Sequence, residues 1–217
     1  VCTTDQKSDD PLVEIVKKYG CSVFRGHTTD IIDRFYAAMT KFKLDAVIQI
    51  DGDDPLSSTE YMDLTMQALL ANSELDIVTV EGLPLGCATK SFRRSAVEKV
   101  KPFYLTKKND TGFIYYLTKT GLCNHLLLRC SDPVHQHETA RLTLDYREDY
   151  ELFKNILEEI KTGDKPLSLR EVVTYLIKNP ELTRLNNKVD AEYWRRTKRK
   201  AVLEYRCPTD QIRTIEV

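Results

Sequence analysis

Ala46-Val47-Ile48-Gln49-Ile50-Asp51-Gly52-Asp53-Asp54-Pro55 is the stretch that decides the fold. An apolar run of strand length breaks off into three carboxylates within four residues. A short apolar run bounded by turn formers reads as a buried strand. Gly52 lets the backbone turn tightly or approach a ligand. Clustered carboxylates repel one another unless a cation sits among them. Hard oxygen donors of this kind suit Mg²⁺, which often takes one or two carboxylates together with substrate phosphates. The same residues also read as an acidic β-turn closed by proline, and the stretch alone leaves both readings open.

Upstream, Val1-Cys2-Thr3-Thr4 reads as the end of a strand running into the polar loop 5–10. Pro11 to Tyr19 has helical spacing of Leu12, Val13, Ile15, Val16 and Tyr19, and Gly20 stops it. Cys21 to Phe24 is β-rich and is followed by the polar loop 25–29. Asp30 begins a helix that carries Ile31, Ile32, Phe35, Tyr36 and Met39 on one face. Downstream, a helix is expected over Ser58 to Ala71 and a strand over Asp76 to Val80. Strand and helix alternate, which predicts an α/β fold with a mainly parallel sheet covered by helices on both faces. Ligands bind such sheets beyond the carboxyl ends of the strands. The loops after Thr4, Phe24 and Ile50 are therefore expected on one edge.

The middle of the chain is less regular. Gly82 to Gly86 is a turn-rich loop, Ser91 to Val100 a short helix, and Leu126 to Cys130 a strand. Ala140 to Leu144 is read as a strand ending at Asp145, ahead of an amphipathic helix over Tyr150 to Ile160. The strand-end rule then sets Asp145 on the same edge as Asp53, where two carboxylates can clamp a Mg²⁺ that bridges nucleotide phosphates. The alternative is that Asp145 caps the following helix, with Tyr146-Arg147-Glu148 as its first turn. After the punctuation at Gly163-Asp164-Lys165-Pro166 the character changes. Ser168 and Glu171 form a capping box that opens a helix ending before Pro180. A short turn or helix can start at Pro180, and the end of the chain is basic from Trp194 to Lys200. The expected division is an α/β domain over 1–165 and a helical extension over 166–217 with a loosely held basic end.

Composition narrows the function. The chain has 217 residues, 41% hydrophobic and 30% charged, which suits one globular domain with an appendage. A net charge of -1 argues against general nucleic-acid binding. No apolar run approaches the roughly 20 residues of a membrane span. Six cysteines without a Cys-x-x-Cys pair read as free thiols of a cytoplasmic protein rather than a disulfide framework. The first residue is Val1, and the chain is expected to start inside a fold.

Other candidates are weaker. Arg25 can meet phosphate or carboxylate bidentately. Arg34, beside Asp33, reads equally as a structural ion pair. Asp132-Pro133-Val134-His135-Gln136-His137-Glu138 looks like a loose metal site and reads more simply as surface composition. No Gly-rich phosphate loop and no Gly-x-Ser-x-Gly elbow occurs.

The order of several pieces resembles the sugar cytidylyltransferases, in particular the spore coat polysaccharide branch, with the CMP-Kdo and acylneuraminate synthetases as relatives. These pieces are Thr3-Thr4-Asp5 with Asp9-Asp10-Pro11-Leu12-Val13, Val23-Phe24-Arg25-Gly26, and Asp30 to Tyr36. Gly52-Asp53-Asp54-Pro55-Leu56, Gly82 to Gly86, Arg141 to Asp145 with Glu148-Asp149, and the tail from Leu167 to Leu182 with Asn186 continue the series. The resemblance implies a Rossmann-like three-layer sandwich, usually dimeric. It also implies transfer of a nucleotidyl group from a nucleoside triphosphate, CTP above all, to a sugar, releasing pyrophosphate. It makes Asp53 and Asp145 the catalytic Mg²⁺ ligands. Arg25, Gly26, Asp30, Arg34, Asp51, Gly52 and Lys90 then line the nucleotide and sugar clefts. Three departures accompany it. The family's opening strand and phosphate loop are not in the chain, which is expected to be inactive without them. Lys90 stands where relatives carry a Glu for the sugar, and a Glu-His-Val-Thr-like segment is reduced to Asn109-Asp110-Thr111-Gly112-Phe113. Two other readings stay open: a degenerate transferase fold that only binds, and a nucleotide-sugar glycosyltransferase whose Asp-x-Asp motif is Asp51-Gly52-Asp53.

Overall fold

The computed structural model describes residues 1–137, 139–160, 163 and 165–215. Glu138 and Asp164, each part of a motif read above, lie outside them. Two compact units emerge. The first takes 1–47, 93–124 and 197–217, the second 48–92 and 125–196.

In the first unit, β1 (Cys2–Thr4) and β2 (Phe24–Gly26) pair in parallel across α1 (Asp10–Lys18). The parallel pair is what strand–helix–strand alternation predicts. Of the apolar residues in α1, only Val13 is buried, while Leu12 and Ile15, and Tyr19 just past its end, face solvent. α2 (Ile31–Phe42) starts from Asp30, whose carboxylate accepts from the Asp33 N–H at 3.1 Å, as an N-cap does. Ile32 and Met39 bury its inner face. α4 (Arg94–Val100) packs on α2, and α5 is Ile114–Thr118, whereas α3 (Thr59–Ala71) belongs to the second unit. β7 (Leu203–Arg206) and β8 (Ile212–Ile215) form an antiparallel hairpin with Leu203, Tyr205 and Ile215 buried.

The chain crosses into the second unit within β3 (Ala46–Gln49). The strand order is β3-β5-β4-β6, with β4 at Ile77–Glu81, β5 at Lys90–Arg93 and β6 at His125–Arg129. β6 runs parallel to β4, and β5 runs antiparallel to it. The start of the helix expected from Ser91 is therefore a strand, and only Arg94–Val100 is helical. Ala140–Leu144 is not a strand. It is extended chain held to the Gly82–Gly86 loop by one parallel bridge between Leu85 and Arg141. Gly86 is obligatory there. Its φ is +90°, and an added Cβ would meet the Leu142 carbonyl oxygen at 2.2 Å.

Helices α6 (Arg147–Glu159) and α7 (Leu169–Lys178) share one apolar core of Leu142, Leu152, Phe153, Ile156, Val172, Val173 and Leu176. Ser168 caps α7 by the predicted box with Glu171. From Pro180 a single helix, α8, runs 21 residues to Lys200, where a short turn or helix was expected. The basic run from Trp194 forms its last turns.

Candidate active site

The end of β3 delivers the acidic turn as the sequence predicts. The Asp54 N–H donates to the Asp51 carbonyl at 3.2 Å and the Ser57 N–H to the Asp54 carbonyl at 3.1 Å. Nothing inside the chain requires glycine at 52: an added Cβ would meet no atom within 4 Å. What Gly52 leaves open is the outer face of the turn. The turn is sewn to the segment before α6, because the Leu144 N–H donates to the Asp53 carbonyl at 2.8 Å. That bond sets Asp145 next to the turn. Asp145 meets it without a strand of its own.

The three carboxylates of the turn differ in what neutralises them. Asp51 accepts from Gln49 Nε2 at 2.6 Å and pairs with Lys90 Nζ at 3.0 Å. Lys90 thus serves as the turn's own counter-charge. Burial pushes the Asp54 carboxyl up to about 6, against a hydrogen bond from Thr143, and the charges of Asp51 and Asp53 add to the rise. Asp53 is open to solvent, yet crowding by protein atoms raises its carboxyl, and the anions Asp51 and Asp145 raise it further. Among the described residues no cationic side chain lies within ion-pair distance of Asp53. An exposed carboxylate surrounded by anions favours a bound cation.

Asp145 is differently engaged. Its Oδ2 accepts from Arg141 Nη2 at 2.8 Å and its Oδ1 from Arg196 Nη2, on α8, at 2.5 Å. The helix-cap alternative for Asp145 is overturned. Tyr146 is the N-cap of α6, and Asp149 reaches back to accept from the Tyr146 and Asp145 N–H groups, both at 2.9 Å. Asp149 also accepts from Arg141 Nε at 2.9 Å and from Asn186 Nδ2 at 2.9 Å. Burial alone would raise the Asp149 carboxyl, but these donors outweigh it and hold it below the usual range. Arg141 and Asp149 are 2% and 0% exposed. The sequence offered no sign of this network beyond naming its members in the family-like pieces.

The donor set fits a hard divalent cation in part. Asp53 supplies open oxygen donors, whereas Asp145 would join it only on release from Arg196. No cluster of three or more His, Cys, Asp or Glu side chains forms a protein-only cage among the described residues. In the loop 132–138, whose Glu138 lies outside the described residues, no metal cluster forms among those described, and His135 does not belong to the surface. His135 is buried, with Nδ1 3.0 Å from the Tyr61 hydroxyl, and Asp132 pairs with Arg170.

Arg25, Gly26, Asp30 and Arg34 form a separate set in the first unit. Arg25 donates to the carbonyls of Thr4 at 2.9 Å and Gln6 at 2.6 Å and to Asp10 at 2.6 Å. It thereby ties together the loops after β1 and β2. Gly26 lies so close to Phe24 that an added Cβ would sit 2.7 Å from its ring. Arg34 donates to the His27 carbonyl at 3.2 Å. Asp30 is buried and, besides capping α2, accepts from Tyr104 at 2.8 Å and Asn109 at 2.9 Å. Asn109 in turn accepts from the Ile31 N–H at 2.7 Å. Among the described residues no helix is long and apolar enough to cross a membrane.

Comparison with known proteins gives this geometry its context. The family model described as cytidylyltransferase matches residues 1–161. An uncharacterized protein of Methanocaldococcus jannaschii is 30% identical over 199 residues, covering 90% of this chain and 79% of its own length. The spore coat polysaccharide biosynthesis protein SpsF of Bacillus subtilis is 26% identical over 184 residues, 83% of this chain and 75% of that protein. A cytidylyltransferase structure from Leptospira borgpetersenii superposes with a TM-score of 0.75 at 25% identity, over 84% of this chain and 77% of that one. A CMP:2-keto-3-deoxy-manno-octonic acid synthetase solved with CTP shares the fold, at a TM-score of 0.50 and 13% identity over 73% and 80% of the two chains. The chain belongs to the cytidylyltransferase family.

Proposed function

We propose that the protein transfers a cytidylyl group from CTP to a sugar oxygen, releasing pyrophosphate, in the synthesis of a surface or coat polysaccharide. The observation that carries this reading is Asp53: an exposed carboxylate among anions, bonded through its backbone to the segment that presents Asp145. Family membership supports the reaction class, and the likeness to SpsF supports the polysaccharide context.

Asp53, with Asp145 once Arg196 releases it, would hold Mg²⁺, which when bound offsets phosphate charge. Asp54, lifted by burial, is drawn toward its ionised form by a cation nearby. Lys90 keeps Asp51 neutralised and the turn in shape. In the first unit, Arg34 is the cation proposed to meet the nucleotide or sugar, while Arg25, whose donors are taken by Thr4, Gln6 and Asp10, holds with Gly26 and Asp30 the loops beside it. Transfer then needs positioning more than covalent chemistry: the sugar oxygen attacks the α-phosphorus in line as pyrophosphate departs.

The test is pyrophosphate release by the full-length protein with CTP, MgCl₂ and a panel of acidic and amino sugars. Asp53→Asn is expected to lower turnover by at least about 100-fold, the scale of losing a transition-state electrostatic contact. Normal turnover by that variant would remove Asp53 from the role.

A further inference from the structure

The second unit sets two guanidinium groups on one carboxylate, and only one of them is built to stay. Asp145 accepts from Arg141 Nη2 at 2.8 Å and from Arg196 Nη2 at 2.5 Å. Arg141 is 2% exposed and is also held by the fully buried Asp149 at 2.9 Å. Arg196 is 34% exposed, and among the described residues its ion pair is with Asp145 alone. Both guanidinium groups lie over the same two rings. The Arg141 carbon is 4.3 Å from the Tyr193 centroid and 5.4 Å from that of Tyr146; the Arg196 carbon is 5.6 and 5.2 Å from them. Two like charges over one pair of rings repel, and the Asp145 carboxylate that accepts from both offsets the repulsion.

The helix lets Arg196 leave at little cost. The buried residues of α8, Thr183, Asn186 and Val189, all lie in its first half. Arg196 projects from the second half, so its side chain can change rotamer without opening a core. A dication competes with it directly. Lys90 neutralises Asp51 and Arg141 pairs with Asp149, which leaves Asp53, Asp54 and Asp145 as the carboxylates open to exchange. A Mg²⁺ on Asp53 and Asp145 would leave Arg196 without its anion and beside a second cation. An anionic oxygen shared by the two relieves that repulsion. Phosphate supplies it, because arginine meets phosphate bidentately while Mg²⁺ takes oxygens of the same group. Arg196 lies beyond residue 161, where the match to the family model ends, so membership of the family does not bring this residue with it.

We infer that Arg196 is a phosphate-binding residue of the metal-loaded protein: it rests on Asp145 and exchanges that carboxylate for a phosphate oxygen of the nucleotide when the cation takes Asp145. The inference rests on the nucleotidyl-transfer reading above. The exchange makes metal and nucleotide support each other's binding. The metal frees the arginine that the phosphate uses, and the phosphate neutralises the arginine that the metal displaces.

The experiment follows binding to the full-length protein by calorimetry, with inorganic pyrophosphate and CTP as probes, in saturating MgCl₂ and again in EDTA. The parent is compared with Arg196→Ala and Arg196→Gln. Glutamine keeps a hydrogen bond to Asp145 without the charge, so it carries the test if the alanine variant does not fold. In MgCl₂ each variant is expected to weaken both probes about tenfold, the worth of one charge-assisted hydrogen bond. In EDTA the variants are expected to stay within about twofold of the parent, because there Arg196 remains on Asp145. A mere counter-ion of Asp145 predicts the opposite sign in MgCl₂, since its loss tightens the metal and with it the metal–nucleotide complex. The inference is overturned if a variant in MgCl₂ binds a probe that the parent binds within about twofold or more tightly, or if the loss in EDTA is equally large. Variants that lose pyrophosphate while the parent binds no CTP keep Arg196 as a phosphate ligand and reject the cytidylyl reading. CTP bound equally by parent and variants does the reverse, and a parent that binds neither probe overturns both.

Discussion

Replacing Asp149 by Asn is expected to be among the most damaging conservative changes in the second unit. The carboxylate is fully buried and takes five donors: Arg141 Nε and Nη2 at 2.9 and 3.1 Å, Asn186 Nδ2 at 2.9 Å, and the N–H groups of Asp145 and Tyr146 at 2.9 Å each. An amide has the same shape, but it removes the negative charge and turns two N–H groups toward these donors. Breaking a buried ion pair from one side costs about 3–5 kcal/mol. Asp145 still offsets part of the Arg141 charge, which sets the expectation near the lower end, about 3 kcal/mol. At about 2–4 °C per kcal/mol for a chain of this length, Tm falls by about 6–12 °C. Unfolding is followed by Trp194 emission, because the sole tryptophan belongs to the same unit. The pH dependence has a definite sign. The folded carboxyl is held below its unfolded value, so its stabilisation is present above about pH 4 and is lost as pH falls through the folded pKa. The gap between parent and variant therefore persists from pH 6 to 8 and closes under acid. A loss below about 1 kcal/mol at pH 7, or a gap that widens in acid, refutes the assignment of Asp149 as the ionised centre of the network.

Gly86→Ala is expected to cost more than about 3 kcal/mol or to prevent folding of the second unit, since the new methyl meets the Leu142 carbonyl at 2.2 Å and φ is +90°; circular dichroism and urea unfolding check this. Asp54, with its carboxyl near 6, must be ionised for the turn to attract a cation, so Mg²⁺ affinity should be flat above about pH 7 and fall by up to about tenfold per unit below 6. Calorimetry at pH 5, 6 and 7.5 reads it, and a flat profile counts against the turn as the cation site. The same raised carboxyl costs stability above about pH 6, a cost absent below about pH 4, where both folded and unfolded states are protonated. Arg196→Ala removes the cation on Asp145 Oδ1 and is expected to tighten Mg²⁺ on the order of tenfold, the worth of one charge-assisted hydrogen bond of about 1.5 kcal/mol; unchanged affinity would place Asp145 outside the cation site.

Features carried by neighbours in sequence were legible without coordinates. The Asp30 cap, the Ser168–Glu171 box, the strand ending at the acidic turn and the alternation of strand and helix all depend on contacts within a few residues. The acidic turn itself is written in one stretch, a strand end followed by three carboxylates, and the cation role of Asp53 there is the proposal made above. What required the tertiary structure was the company each charge keeps. Lys90 neutralises Asp51 from 39 residues away, and Asn186 reaches Asp149 from 37. Nothing local marks either pairing. β5 was hidden because four residues with cationic ends gain strand geometry only when laid between β3 and β4. The hairpin at Leu203–Ile215 was hidden because its basic surroundings resemble a solvated tail until Leu203 and Tyr205 are seen buried. Desolvation and Coulomb interactions act across space and not along the chain. The sequence therefore names the carboxylates, and the fold sets the company each keeps: Asp51 with Lys90, Asp149 with Arg141, Asp145 between Arg141 and Arg196, and Asp53 with no cation within ion-pair distance among the described residues.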